Sequence, residues 1–126
     1  MAEYGPVRFD FTPQNGRTLS LGEDWPLRFP VEDENGLLLS SFSGLSSWGF
    51  AILDRLDTAN GWTAVAAAAL HQETGTISAS VPNVDVTVTA AEQTTAALTV
   101  RDYAYELWQL TSPVRRVAYG TLRPVN

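Results

Sequence analysis

Short apolar segments separated by turn signals set the strongest limit on what this chain can fold into. The segments mostly alternate apolar and polar residues, and stretches rich in Gly, Pro, Asn or Ser separate them about every 8–12 residues. A helical chain would instead repeat apolar residues three and four positions apart over longer runs. The pattern predicts about eight strands, at Val7–Phe11, Trp25–Val31, Trp48–Leu53, Trp62–Leu70, Thr76–Val81, Val84–Thr89, Arg101–Leu110 and Arg116–Leu122.

Two of these segments carry additional local signals. Trp25–Val31 contains Pro26 and Pro30, which lack a backbone donor, so this strand should lie at a sheet edge or carry a bend. Trp62–Leu70 contains the alanine run Ala66–Ala69, which has high helix propensity, next to residues that favour strands. We interpret it as a strand, because short isolated helices are marginal in water and the neighbouring segments are strand-like.

One segment does favour a helical turn. Ala90–Leu98 is rich in alanine, and Thr89 with Glu92 three residues later has the pattern of a capping box. Taken together, the segments predict an all-β chain. Its fold class is a single immunoglobulin-like antiparallel β-sandwich of about eight strands, with one short helical turn near 90–98 and no disulfide.

The composition argues against several classes of function. The net charge is −6 and all eight basic residues are arginine, without a basic cluster, so we expect no nucleic-acid partner. The longest apolar run, Ala64–Leu70, is far shorter than the about 20 residues that a membrane span needs, so we expect no membrane partner. Cysteine is absent and His71 is the one histidine, which disfavours thiol chemistry, multi-histidine metal sites and Ser-His-Asp triads. We therefore expect a non-enzymatic protein with no cofactor or metal, for which a small-molecule ligand is not expected.

Two polar positions could still bind a ligand or carry chemistry. Glu32–Asn35 places four oxygen-bearing side chains in one turn, which could attract calcium, but the spacing does not match an EF-hand loop. A solvated hairpin turn is the simpler interpretation. His71 has no evident nucleophile or orienting partner, so we interpret it as a surface histidine at a strand end.

Paired carboxylates could in principle cleave glycosides. The residues available for such a pair are Asp54 with Asp57, or Asp102 with Glu106. Strands with one solvent-exposed face carry acidic residues routinely, so we interpret both pairs as polar residues on the outward face of a half-buried strand.

The strand Arg101–Leu110 contains the clearest candidate interface. Its alternation places Tyr103 and Tyr105 towards the core, and therefore Trp108 and Leu110 on the opposite, outward face. An outward Trp–Leu pair on a polar face often marks a protein contact. Partial burial and a sugar-binding platform are the alternatives. The other tryptophans lie in apolar alternation and are predicted to be in the core: Trp25, Trp48 and Trp62.

Several stretches, in this order, resemble a known group of proteins. Leu21–Val31 reads LGEDWPLRFPV and continues into EDENG, and Leu39–Gly44 reads LSSFSG. Gly75–Leu98 contains GTISASV and VDVTVTAAEQTTAAL, and Tyr103–Leu110 reads YAYELWQL. This order resembles small phage virion proteins encoded among tail and baseplate genes. These are similar to the β-sandwich N-terminal domains that attach receptor-binding proteins to baseplates. The resemblance covers roughly residues 21–125.

The resemblance implies a virion structural protein, namely a tail, baseplate or fibre-adaptor subunit that acts through protein–protein contacts. Its partners would be other virion proteins, with a homo-oligomer, ring or trimer in the particle. It would be located in the virion, on the tail or another exterior structure, after assembly in the host cytoplasm. A capsid or neck decoration or head-completion protein is one alternative, and a carbohydrate-binding module for host recognition is another. The family implies no catalytic residues.

The domain boundaries follow from the same resemblance. Residues 21–126 form the β-sandwich domain, and residues 1–20 precede the shared pattern as an N-terminal arm or extra edge strand. We expect this segment to pair with a neighbouring subunit. The predicted protein interface therefore consists of Val7, Phe9, Phe11, Trp108 and Leu110.

Overall fold

Alternating segments form ten strands in the part of the chain that the structure describes. The computed structural model describes residues 7–33, 35–42, 47–56, 61–74, 77–111 and 114–126. The elements are β1 Val7–Arg8, β2 Leu19–Ser20, β3 Trp25–Pro30, β4 Trp48–Leu53, α1 Trp62–Ala68, β5 His71–Thr74, β6 Ser78–Ser80, β7 Asn83–Val88, α2 Ala90–Thr95, β8 Tyr103–Gln109, β9 Arg115–Leu122 and β10 Pro124–Val125. A short 3-10 turn lies at Pro13–Asn15.

The strands form two facing sheets and a short ribbon, which confirms the predicted all-β sandwich. The larger sheet has the order β1-β9-β8-β4-β5, the smaller one β3-β7-β6, and β10 pairs with β2. The pairs within the two sheets are antiparallel except β1–β9, and β10–β2 is also parallel. The core between the sheets is formed by apolar residues that alternate along the strands, including Leu27, Phe29, Phe50, Ile52, Val84, Val86, Val88, Tyr103, Tyr105 and Leu107.

The backbone nitrogens of the two prolines of β3 point to the unpaired side of this strand, as the edge-strand prediction requires. Among the strands that the structure describes, β3 pairs only with β7. The amide of Val31 donates to the carbonyl of Pro82 at 2.9 Å, so the odd-numbered amides of this strand face β7. Pro26 and Pro30 are therefore on the open side, where the missing donors break no ladder hydrogen bond. The prediction that this segment lies at a sheet edge is confirmed.

The predicted strand at Trp62–Leu70 is wrong, because most of this segment is the helix α1. The alanine run has high helix propensity, and the helix buries Val65 completely against the outer face of the larger sheet. Packing of that one face supplies the stability that an isolated short helix lacks. The chain returns to the sheet only at His71, where β5 begins.

The helical turn predicted near residues 90–98 is confirmed as α2. The Thr89 hydroxyl accepts a hydrogen bond from the Glu92 amide at 3.2 Å, and the Glu92 carboxylate accepts one from the Thr89 amide at 2.9 Å. This is the capping box that the spacing predicts. The side chain of Gln93 lies on the buried side of α2. It donates to the carbonyl of Glu23 and accepts from the amide of Gly22. The helix is thereby held to the loop before β3.

The described part of the N-terminal segment lies in the chain's own sheets, whereas we expected it to pair with a neighbouring subunit. Val7 pairs in parallel with Ala118 at the edge of the larger sheet. The Tyr105 hydroxyl donates to the carbonyl of Phe9 at 2.5 Å, and burial raises the pKa of this phenol, so it stays protonated as a donor. The backbone of Phe9 also passes directly over Gly120, where a side chain would have no room.

Gly120→Ala is expected to detach this segment and to lower the free energy of unfolding by about 1–3 kcal/mol, as overpacking does. An added Cβ would lie 1.9 Å from the carbonyl oxygen of Phe9, which is backbone and cannot rotate away. Urea denaturation measures the change. Gly61→Ala is the matched control, since nothing lies within 4 Å of its added Cβ. Equal stability of the two variants would contradict the packing of Phe9 on Gly120.

Candidate functional site

The structure divides the predicted interface residues between the core and its margins. Val7 lies in β1, and Phe9 is half-buried against the core. Phe11 is inside the core, with its ring centroid 5.5 Å from that of Phe29. Leu110 is half-buried beside α1. The segment from Phe9 to Phe11 thus packs inward, because its apolar residues complete the core of this same domain.

Trp108 is the main correction to the predicted interface. It does lie on the face opposite Tyr103 and Tyr105, as alternation requires, but its exposed fraction is 8%. The helix α1 covers this face, and the Trp62 ring lies 6.4 Å from the Trp108 ring. Alternation identifies the face of a strand, but it cannot show whether a third layer covers that face. An exposed Trp108 was therefore a wrong expectation.

A buried carboxylate lies beside this tryptophan. Glu106 has no exposed surface, and its Oε1 accepts a hydrogen bond from the Trp108 indole nitrogen at 2.9 Å. The same oxygen is 3.5 Å from a guanidinium nitrogen of Arg116. A buried charge needs such partners, because desolvation would otherwise outweigh any gain from packing. These contacts give Glu106 a structural position under α1.

The other carboxylates of the proposed glycosidase pairs also have partners of their own. Asp102 pairs with Arg123 at the surface, and this guanidinium lowers the pKa of Asp102. Asp54 pairs with Arg101. Asp57 lies outside the described residues. Each described carboxylate thus has the setting of a structural ion pair. The outward position expected from the sequence is right for Asp54 and Asp102, but it is wrong for Glu106, which is completely buried.

The acidic turn after β3 stabilises its own backbone. One oxygen of the Asp33 carboxylate accepts from the amides of Asn35 and Leu37, at 2.8 and 3.1 Å. Asp33 also donates its amide to the Leu37 carbonyl at 2.7 Å, and Gly36 supplies the positive φ of 79° that the turn needs. Glu34 lies outside the described residues. The described part of the turn is thus a hydrogen-bonded hairpin tip, as the simpler interpretation predicts.

This hairpin tip presents two leucines to solvent. Leu37 is 65% exposed and Leu38 is 54% exposed, although neighbouring backbone hydrogen bonds hold both in place. Val114, just before β9, is 55% exposed. It lies at the same end of the sandwich, because the next residue, Arg115, reaches the carbonyl of Glu32 with its guanidinium.

An open groove of about 610 Å³ lies along α1 at the same end of the sandwich, and Val114 is part of its lining. Trp62, Ala64, Ala67, Leu110 and Val114 supply its apolar lining. We call the apolar residues at this end of the sandwich, Leu37, Leu38, Leu110 and Val114, the apolar end. Leu110 was predicted as an interface residue, but the other three were missed. The run of three leucines directly after a polar turn was the available signal.

The second candidate site surrounds the single histidine. His71 begins β5, so its position at a strand end is confirmed, but its side chain is only 11% exposed and the surface setting is wrong. Its Nε2 lies 3.2 Å from a Glu73 carboxylate oxygen and 3.6 Å from a Glu92 oxygen. Glu73 comes from the same strand, whereas the capping box of α2 brings in Glu92. His71 and Glu92 lie far apart in the sequence, so this contact could not be predicted from the sequence alone.

Comparisons with family models, with curated proteins and with solved structures found no match for this chain. Among the described residues, the structure contains no helix with the length and apolar character that crossing a membrane requires.

Trp108→Ala is expected to lower the free energy of unfolding by about 3–5 kcal/mol, as removal of a buried tryptophan does. It would open a cavity beneath α1 and leave Glu106 without its indole partner. Chemical denaturation followed by circular dichroism measures the effect. Val114→Ala, at an exposed position near the same helix, should change stability by less than about 0.5 kcal/mol. A melting temperature unchanged in Trp108→Ala would show that α1 does not cover this face.

Proposed function

We propose that this chain is a non-enzymatic structural subunit of a phage virion. It acts in the tail or baseplate, or as a fibre adaptor, by holding other virion proteins in place through protein–protein contacts. The ordered sequence motifs and the all-β sandwich support this proposal. The observation that carries it is the pair of exposed leucines on a hydrogen-bonded hairpin tip.

A rigid loop with exposed leucines has the properties of a docking element. Exposing Leu37 and Leu38 leaves favourable burial unused, at about 25 cal/mol for each Å² of apolar surface. The Asp33 hydrogen bonds hold the tip before any partner binds, so little conformational entropy is lost on association. Leu37 and Leu38 are adjacent in the chain, and exposed apolar residues that form a patch commonly mark an interaction site.

The partner of the apolar end should be a protein surface with an apolar pocket and a basic rim. Glu32 and Asp33 flank the leucines, and the whole chain carries a net charge of −6. Two copies joined symmetrically through this hairpin would bring their acidic residues together, which is unfavourable. We therefore assign the apolar end to a different virion protein. Self-association into a ring or trimer would use another surface.

The exposed residues of the structure bear differently on the two alternative functions, a capsid or neck protein and a carbohydrate-binding module. A decoration or head-completion protein of the capsid or neck would use the same apolar end, so it differs only in the partner. A carbohydrate-binding module would need exposed aromatic rings. Trp25, Trp48 and Trp108 are buried, and Trp62 is half-buried against Gly49. This burial favours the protein-contact proposal over sugar binding.

The double variant Leu37→Ser, Leu38→Ser tests the proposal. It should fold with a free energy of unfolding within about 0.5 kcal/mol of wild type, because both side chains are exposed. Its incorporation into particles should fall about tenfold or more, since central apolar anchors often carry 2 kcal/mol or more of binding. Epitope-tagged protein is supplied during infection with the phage that carries the gene, and its amount in purified particles is measured.

Val100→Ser is the control for this experiment. Val100 is 50% exposed but precedes β8, whereas Leu110 and Val114 follow it, so it lies at the other end of the sandwich. This variant should be incorporated like wild type. Absence of wild-type protein from the particles, or equal incorporation of the double variant, would contradict the proposal. Loss of glycan binding with normal incorporation would instead favour a carbohydrate-binding module.

A further inference from the structure

The cluster of His71, Glu73 and Glu92 has the composition and spacing of a site for a divalent transition metal. One ligand atom from each residue lies within 4.8 Å of the other two. These residues are the histidine and two glutamates already described, on β5 and at the start of α2. The described part of the chain brings no other such group together.

The two distances from the histidine match those between ligand atoms of a tetrahedral metal site. Zinc bonds histidine nitrogen and carboxylate oxygen at about 2.0–2.1 Å, so neighbouring ligand atoms of a tetrahedron lie about 3.4 Å apart. The Nε2 of His71 is 3.2 Å from the Glu73 oxygen and 3.6 Å from the Glu92 oxygen. The two glutamate oxygens lie within 4.8 Å of each other, so rotation of the carboxylates can bring all three atoms to one cation.

Neighbouring elements hold the three ligands before any ion binds. The ladder between β4 and β5 fixes His71 and Glu73, which pair with Ile52 and Phe50. One Glu92 oxygen is occupied by the Thr89 amide, which leaves the other oxygen directed at His71. The buried side chain of Gln93 holds α2 to the loop before β3 through its hydrogen bond to the Glu23 carbonyl. Such outer contacts orient ligands in metal sites and increase their affinity.

We infer that His71, Glu73 and Glu92 bind one divalent transition-metal ion of the Zn²⁺ class. An imidazole nitrogen among the ligands favours such ions over Mg²⁺ and Ca²⁺, which prefer oxygen alone. The two carboxylates offset the charge of the ion. Solvent completes the coordination, because the Glu92 side chain is 34% exposed. The ion would link the edge strand β5 to helix α2, two elements that this cluster joins across the end of the core.

Zinc titration of the protein, produced without a polyhistidine tag, tests the inference. Isothermal titration calorimetry should give 1:1 binding at micromolar zinc. Cobalt should give the visible absorption of a tetrahedral site. The melting temperature should rise by several degrees with zinc and return to its original value with EDTA, because an ion that binds only the folded state stabilises it. Magnesium at the same concentration should change neither signal.

The variants separate this site from general acidity. Loss of outer contacts alone costs metal sites about 10–100-fold in affinity, so His71→Gln and Glu73→Gln should each weaken zinc binding at least tenfold. Glu92→Gln should do the same while it keeps the capping box, which accepts glutamine as well as glutamate. Glu23→Gln removes one exposed carboxylate outside the cluster and should bind zinc like wild type.

Three results would overturn the inference. One is the absence of saturable zinc binding to the folded protein. The second is affinity that does not change in any of the three cluster variants. The third is equal binding of magnesium, which would indicate acidic attraction without the histidine. Because one cluster variant could affect folding, the comparison uses each variant that shows a cooperative thermal transition without metal.

Discussion

The side chain of Tyr105 joins the parts of this molecule that most need to be held together. It lies at the middle of β8 with no exposed surface, and its ring is 5.4 Å from the rings of both Phe11 and Phe29. Its hydroxyl satisfies the carbonyl of Phe9. One residue thus connects the larger sheet, the smaller sheet and the N-terminal segment. Release of that segment to a neighbouring subunit would leave a buried phenol without its acceptor, which opposes such an exchange.

Local alternation predicted those strands whose two faces meet different surroundings. In β3 and β7 the apolar residues face the core and the polar residues face solvent, so a period of two indicates both the strand and its inner face. The edge position of β3 was predictable for a separate reason, since prolines cannot donate to a ladder. The capping box of α2 could also be predicted, because every group in it is local.

The same reasoning failed where a third layer covers a sheet. All seven residues of β8 are buried, because α1 lies on the face that alternation assigned to solvent. Gly49 shows how closely this layer packs, since an added Cβ would lie 2.6 Å from the Trp62 ring. Nothing near Gly49 in sequence indicates that Trp62 packs on it. The candidate sites have the same origin: His71 meets Glu92, and Arg115 reaches Glu32 beside the hairpin tip, only through contacts between distant segments.

The two prolines of β3 also restrict how copies of this protein can associate. On the open side of this strand, Arg28 is the residue between them that still has an amide donor. A strand from another molecule would find few donors there for a ladder, so growth of the smaller sheet in that direction is disfavoured. At high protein density, exposed sheet edges of different molecules can pair with one another and form continuous aggregates. Here the rings of Pro26 and Pro30 remove two backbone donors from one edge of the sandwich, which disfavours polymerisation through that edge.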